Sequence, residues 1–145
     1  MHIEVIDIPL GLTLYEFSGT AINKDSAGTA FKLMDRMWKI VKLNNLKNKG
    51  LNIWVYDQNE NVFAGVELNE VPDQNFEIEI KNIMLSKYVY YKHTGPYHLI
   101  GKAVQNMNAE IKTLGLESSL LYIEIYGHWT NDESKLETEL LMSLK

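Results

Sequence analysis

An α+β fold made of two like halves is predicted by three observations. Apolar residues alternate with a period of two in eight short stretches. Two longer stretches carry them at three- and four-residue spacing, the mark of an amphipathic helix. The order of these stretches then repeats, reading ββαββ and again ββαββ, with pseudo-repeats at about residues 1–70 and 74–145. Consecutive strands joined by short loops pair antiparallel, and the two helices must cover one sheet face. At 145 residues the whole is one domain with room for a real core.

The first half opens with a strand, His2–Pro9, rich in β-branched residues and closed by the Pro9-Leu10-Gly11 turn. Residues 12–21 form a second strand that runs through Gly19. Asn23, Lys24, Asp25 and Ser26 then offer N-capping side chains. The helix that follows has the stripe Ala27, Ala30, Phe31, Met34, Met37, Trp38, Val41. Lys39, Lys42 and Lys47 sit late, as the helix dipole prefers, and Asn48-Lys49-Gly50 ends it. Residues 51–56 are a strand with Trp54 and Tyr56 on one face and Ile53 and Val55 on the other. Beyond the polar loop 57–61 the chain returns as strand 62–68, in which Gly65 marks a bulge or a close backbone approach. Residues 70–75 are the only linker-like stretch.

The second half starts with Phe76–Lys81, whose polar face of Glu77, Glu79 and Lys81 reads as solvated. Strand 87–94 runs into Gly95-Pro96, and a helix starts with Pro96 in its first turn. Its stripe is Ile100, Ala103, Val104, Met107, Ile111, Leu114, closed by Gly115. Strand 120–127, loop 128–134 and strand 136–144 complete the chain.

The stretch that bears on function is Leu121-Tyr122-Ile123-Glu124-Ile125-Tyr126. Alternation puts Tyr122, Glu124 and Tyr126 on one face. A carboxylate between two tyrosines costs free energy to desolvate unless a cation or a hydrogen-bond donor meets it. Two readings stand: an exposed Glu on a half-solvated strand with tyrosines snorkelling beside it, or a carboxylate at the floor of an aromatic pocket. The repeat places Trp54 where Glu124 sits and Tyr56 where Tyr126 sits. If both face the helices, they enter a central cleft between the halves from equivalent positions.

Composition narrows the function. With 46% apolar and 23% charged residues the chain is an ordinary globular one, and it shows neither a bilayer-spanning apolar run nor a basic-then-apolar stretch of the kind a secretory signal has. No cysteine is present, so there is no disulfide frame and no thiol nucleophile, and a cytoplasmic location is expected. A net charge of −5 without a basic stripe argues against direct nucleic-acid or membrane binding and weakly favours cationic small molecules. His2, His93, His98 and His128 are scattered, so no metal site is expected, and His93 reads as a hydrogen-bonder that stabilises a turn. Nothing in the sequence calls for a cofactor.

Four motifs carry a family resemblance. Residues 87–97, Lys-Tyr-Val-Tyr-Tyr-Lys-His-Thr-Gly-Pro-Tyr, resemble the strand and His-x-Gly-Pro-Tyr turn of the GyrI-like small-molecule-binding superfamily, the effector-binding domain of AraC-type and multidrug-responsive regulators. Glu124 and Tyr126 resemble its Glu-x-Tyr strand, Phe63-Ala64-Gly65-Val66-Glu67 its aromatic-small-Gly-Val strand, and Leu136–Leu140 its closing strand. The last strand is followed by no Ile-Pro, a departure from the family pattern.

The resemblance implies two ββαββ halves, an eight-stranded antiparallel sheet with two main helices, and a ligand cleft at the pseudo-two-fold. It makes Glu124 the pocket carboxylate that meets lipophilic cations amid aromatic rings, and the ligand-binding residues expected beside it are Tyr122, Tyr126, Trp54, Tyr56, Tyr90, Trp38 and Met37. Some GyrI-like proteins are hydrolases of reactive electrophiles, in which case Glu124 and Tyr126 would be catalytic. Others act on a larger protein such as a topoisomerase. Family regulators carry an N-terminal helix-turn-helix, whereas this chain opens on a strand. The expectation is therefore a sensor-type domain alone, with a regulator protein as an open partner.

Overall fold

A computed structural model describes residues 2–21, 23–74 and 76–145. Met1, with which the chain opens, and Asn75, at the end of the linker-like stretch, lie outside the described residues. Among those residues the fold is α+β, with eight strands in antiparallel pairing and two main helices. In chain order these are β1 (Glu4–Ile6), β2 (Leu10–Thr20), α1 (Ser26–Leu43), β3 (Asn52–Tyr56), β4 (Asn61–Val66), β5 (Glu79–Leu85), β6 (Tyr88–Thr94), α2 (Ile100–Thr113), β7 (Ser118–Tyr126) and β8 (Glu137–Leu144). No helix among them is long and apolar enough to cross a membrane.

Two compact units result. The first is Gly11–Met84; the second joins the residues up to Leu10 with Leu85–Lys145. In the first unit the strands run in the order β5-β2-β4-β3, and in the second β1-β6-β8-β7. The orders are equivalent, so the internal repeat is real in space. The leading strand of each sequence half, however, is built into the unit formed by the other half: β1 pairs with β6, and β5 lies beside β2.

Each helix buries its stripe on strands of its own unit. In the first unit Met34, Met37 and Val41 of α1 pack on Tyr15 and Phe17 of β2 and Ala64 and Val66 of β4. In the second, Ile100, Ala103, Met107 and Ile111 of α2 pack on Val89 of β6 and Leu140 and Met142 of β8. The buried stripes are narrower than expected, leaving Phe31 of α1 69% exposed and Leu114 outside the core. Asp25 caps α1, its side chain accepting from the Gly28 N–H at 3.0 Å. The helix stops at Leu43 rather than near Lys47, because Asn45 turns left-handed at φ 50° and Leu46 N–H reaches back to the Val41 carbonyl.

Strand 76–81 is shifted towards the C-terminus. Phe76 and Glu77 take φ of 52° and 63° in a turn, and the strand begins only at Glu79. Glu77 pairs with Arg36 at 3.1 Å instead of lining a strand. Nor are Glu79 and Lys81 merely solvated: Lys81 is half-buried with its Nζ over the Phe63 ring, and both charges act on Glu16, a buried carboxylate of β2.

Gly65 lies in β4 between Glu16 of β2 and Ile53 of β3. A Cβ there would sit 2.1 Å from the Tyr15 carbonyl oxygen and 2.8 Å from the Glu16 Cα, both backbone atoms that cannot swing aside. The close approach inferred from sequence is therefore the correct alternative. Gly65→Ala should lower unfolding stability by at least about 2 kcal/mol through overpacking. Gly101→Ala, on α2 with nothing within 4 Å of the new methyl, should raise it by about 0.3–1 kcal/mol through helix propensity. Urea unfolding of both variants checks the contrast.

Candidate functional site

The second unit gathers a carboxylate and three phenols. In β7, Tyr122 lies opposite Met142 and Glu124 opposite Leu140, both core residues beneath α2, so this face of the strand is the helix face. Glu124 is only 7% exposed. Same-face residues two apart on a strand are roughly 7 Å from each other, within reach of a tyrosine ring. Both neighbours use that reach. The Tyr122 hydroxyl donates to Glu124 Oε2 at 2.6 Å, and the Tyr126 hydroxyl donates to Oε1 at 2.7 Å. The solvated-strand reading of Glu124 is thereby replaced: the carboxylate is withdrawn from water and a phenol O–H meets each oxygen. Charge-assisted bonds of this kind contribute about 1.5–3 kcal/mol each.

A third ring joins from the turn before α2. Tyr97, in a 3₁₀ turn Tyr97–Leu99, packs edge-on against Tyr126 with centroids 5.4 Å apart and planes at 88°. The turn is pinned on both sides. Gly95, at φ 137°, donates its N–H to the Leu136 carbonyl at 2.8 Å. His93, buried on β6, has Nε2 3.0 Å from the Pro96 carbonyl, which can only accept, so Nε2 carries the proton. His93 is thus the turn-stabilising hydrogen-bonder its setting suggested. Tyr97 was quoted in a motif but not counted among the site residues. Alternation along β7 says nothing about a residue 29 positions earlier, and only the Gly-Pro-Tyr turn could have pointed to it.

The remaining sequence-predicted residues are distributed differently. Tyr90 lies on the other face of β6, opposite Leu141, whereas Glu124 shares the Leu140 face. Its hydroxyl donates to Glu139 Oε2 at 2.5 Å. Burial first, then the Glu139 hydrogen bond and charge, raises its pKa well above the usual phenol range, so it stays a donor. The pairing register of β6 and β7 on β8 thus puts Tyr90 and Glu124 on opposite faces. In the first unit Met37 is 0% exposed and sealed in the α1 core, so it offers no surface to a ligand. Trp38 packs against that core and donates Nε1–H to Asn52 Oδ1 at 2.5 Å. Trp54 and Tyr56 are half-buried on the α1 face of β3, packed on clusters that include Ala64 and Val62.

No family model matches the sequence, and no curated protein does. Solved structures do. SAV2435 bound to tetraphenylphosphonium superposes with a TM-score of 0.65 at 14% identity, over 100% of this chain and 94% of that one. The EcmrR C-terminal domain gives 0.74 at 16% identity, over 99% and 96%. The chain shares the fold of both structures over nearly its whole length. A hydrolase from Listeria innocua shares it, with a TM-score of 0.60 at 14% identity over 99% and 91%. In this chain that fold joins Tyr97, Tyr126, Glu124 and Tyr122 in one continuous run of contacts.

Tyr122→Phe and Tyr126→Phe should each lower stability by about 1–2 kcal/mol, since each strips one donor from a buried carboxylate. The loss should shrink when Glu124 is already Gln, as a double-mutant cycle by chemical denaturation would record.

Proposed function

We propose that the Glu124 site binds amphipathic organic cations with aromatic bodies, in effector binding or sequestration. The observation that carries this reading is the pair of phenol hydroxyls on the two oxygens of one buried carboxylate. They hold a negative charge in place without neutralising it, so a lipophilic cation arriving beside it loses less on leaving water. The rings of Tyr122, Tyr126 and Tyr97 supply the complementary faces, each worth roughly 0.5–2 kcal/mol to a cation placed over it. Burial of the ligand's apolar area adds about 25 cal/mol per Å². Support from outside the chain is the GyrI-like neighbour that holds tetraphenylphosphonium.

A hydrolase reading uses the same pair, Glu124 as base and Tyr126 as acid, and has the Listeria innocua neighbour in its favour. It is the weaker of the two, because a lone pair on each carboxylate oxygen already accepts a phenol proton.

The test is calorimetric titration with tetraphenylphosphonium, its isosteric anion tetraphenylborate, and neutral triphenylphosphine oxide. Micromolar binding of the cation alone is expected, with a rise in melting temperature. Glu124→Gln should weaken the cation by roughly 1.5–3 kcal/mol and leave the neutral compound unaffected. Equal binding of the anion, or an unweakened Gln variant, would sink the proposal. Turnover of electrophilic esters or epoxides that is lost in Glu124→Gln would favour the hydrolase.

A further inference from the structure

A second buried carboxylate, in the first unit, has one oxygen that no donor among the described residues meets. Glu16 lies in β2, opposite Gly65, and is 2% exposed. Its Oε2 is enclosed and accepts no hydrogen bond from the protein. Leaving such a group ionised costs several kcal/mol in a dry setting. The charged groups acting on it both belong to β5: Glu79, which takes a hydrogen bond from Ser18 Oγ at 3.0 Å, and Lys81, whose Nζ rests 4.2 Å from the centroid of the Phe63 ring. On this side β4 presents Asn61, Phe63 and Gly65, none of them titratable. β5 closes one end of the strand order in its unit and has only β2 as a neighbour there. Ile83 and Leu85 anchor its second half in the core, whereas Ile80 and Met84 are 57% and 66% exposed, and its side-chain hydrogen bonds to β2 among the described residues, Ser18 to Glu79 and Thr13 to Asn82, lie on the surface.

We propose that the protonation state of Glu16 is a switch that sets how firmly β5 is held against β2. Protonated, the acid is neutral and does not repel Glu79. Ionised, it sets a second negative charge beside Glu79 in a poorly solvated place, and only Lys81 offsets the pair. The cheapest relief is for β5 to loosen and admit water. Burial chiefly, then the Glu79 charge, pushes the Glu16 acid up to about 7, with Lys81 pulling the other way, so the switch works at neutral pH. Because the native value is raised above the unfolded one, the folded state holds the extra proton between roughly pH 4.5 and 7. Stability from this group is therefore lost as pH rises through that window and is level above it. The other face of the same strands helps wall a hollow of about 260 Å³ lined by Tyr15, Val71, Ile78 and Ile80, so the seating of β5 also shapes that hollow.

The test follows the whole chain by NMR from pH 5.5 to 8, recording the Glu16 carboxyl carbon and amide hydrogen exchange corrected for its intrinsic pH dependence. Protection of the β5 amides should fall about tenfold, in step with a Glu16 titration near pH 7, while β8 amides stay constant. In Glu16→Gln the β5 protection should be flat across this range. Glu79→Gln, an exposed change that keeps the fold, should move the Glu16 midpoint to lower pH by removing a like charge. The proposal is overturned if Glu16 titrates in the ordinary carboxylate range, or if β5 protection varies with pH equally in Glu16→Gln. If that variant does not fold, a midpoint left unmoved by Glu79→Gln overturns it on its own.

Discussion

A carboxylate taken out of water must find protons to accept, and in the second unit two phenols provide them. That requirement explains why tyrosines flank Glu124 at two-residue spacing: a strand sends only every second side chain to the same face, and a tyrosine is long enough to bridge that spacing. It also explains why the turn before α2 is so firmly tied. Tyr97 leans on Tyr126, and Tyr126 must hold its hydroxyl on Glu124 Oε1, so the His93–Pro96 and Gly95–Leu136 bonds stabilise the far end of the same chain of contacts.

The two buried glutamates show how setting decides the chemistry of one side chain. Glu124 has a donor on each oxygen and can carry its charge as a fixed feature of the site. Glu16 has none on its enclosed oxygen and faces Glu79, so neutrality and charge are close in free energy near pH 7. The first setting is the one proposed to meet a cation and the second the one proposed to answer to protons. Gly65 belongs to the second story, because its missing side chain lets β4 approach the Glu16 backbone where any larger residue would collide.

The repeat has a physical reading as well. Each unit has one helix laid across four strands in the same order, and each borrows its outermost strand from the other half of the sequence. Such an exchange ties chain segments distant in sequence into one core, so neither half of the sequence is by itself a complete four-stranded unit.

Period-two alternation with two 3.6-residue stripes was enough to determine, from sequence alone, the strand and helix order and the shared face of Tyr122, Glu124 and Tyr126; capping side chains at 23–26 and a bulge or close approach at Gly65 were open alternatives until the structure chose Asp25 and the close approach. These are local properties of the chain. Tertiary structure alone decided the rest. Hydrogen bonds between side chains turned a costly carboxylate into a held one; the pairing register sent Tyr90 to the far face and sealed Met37 in a core; left-handed residues at Asn45, Phe76 and Glu77 moved element ends. Glu16 looked like any strand glutamate, because burial and the approach of Glu79 from a strand some sixty residues away exist only once β5 lies against β2.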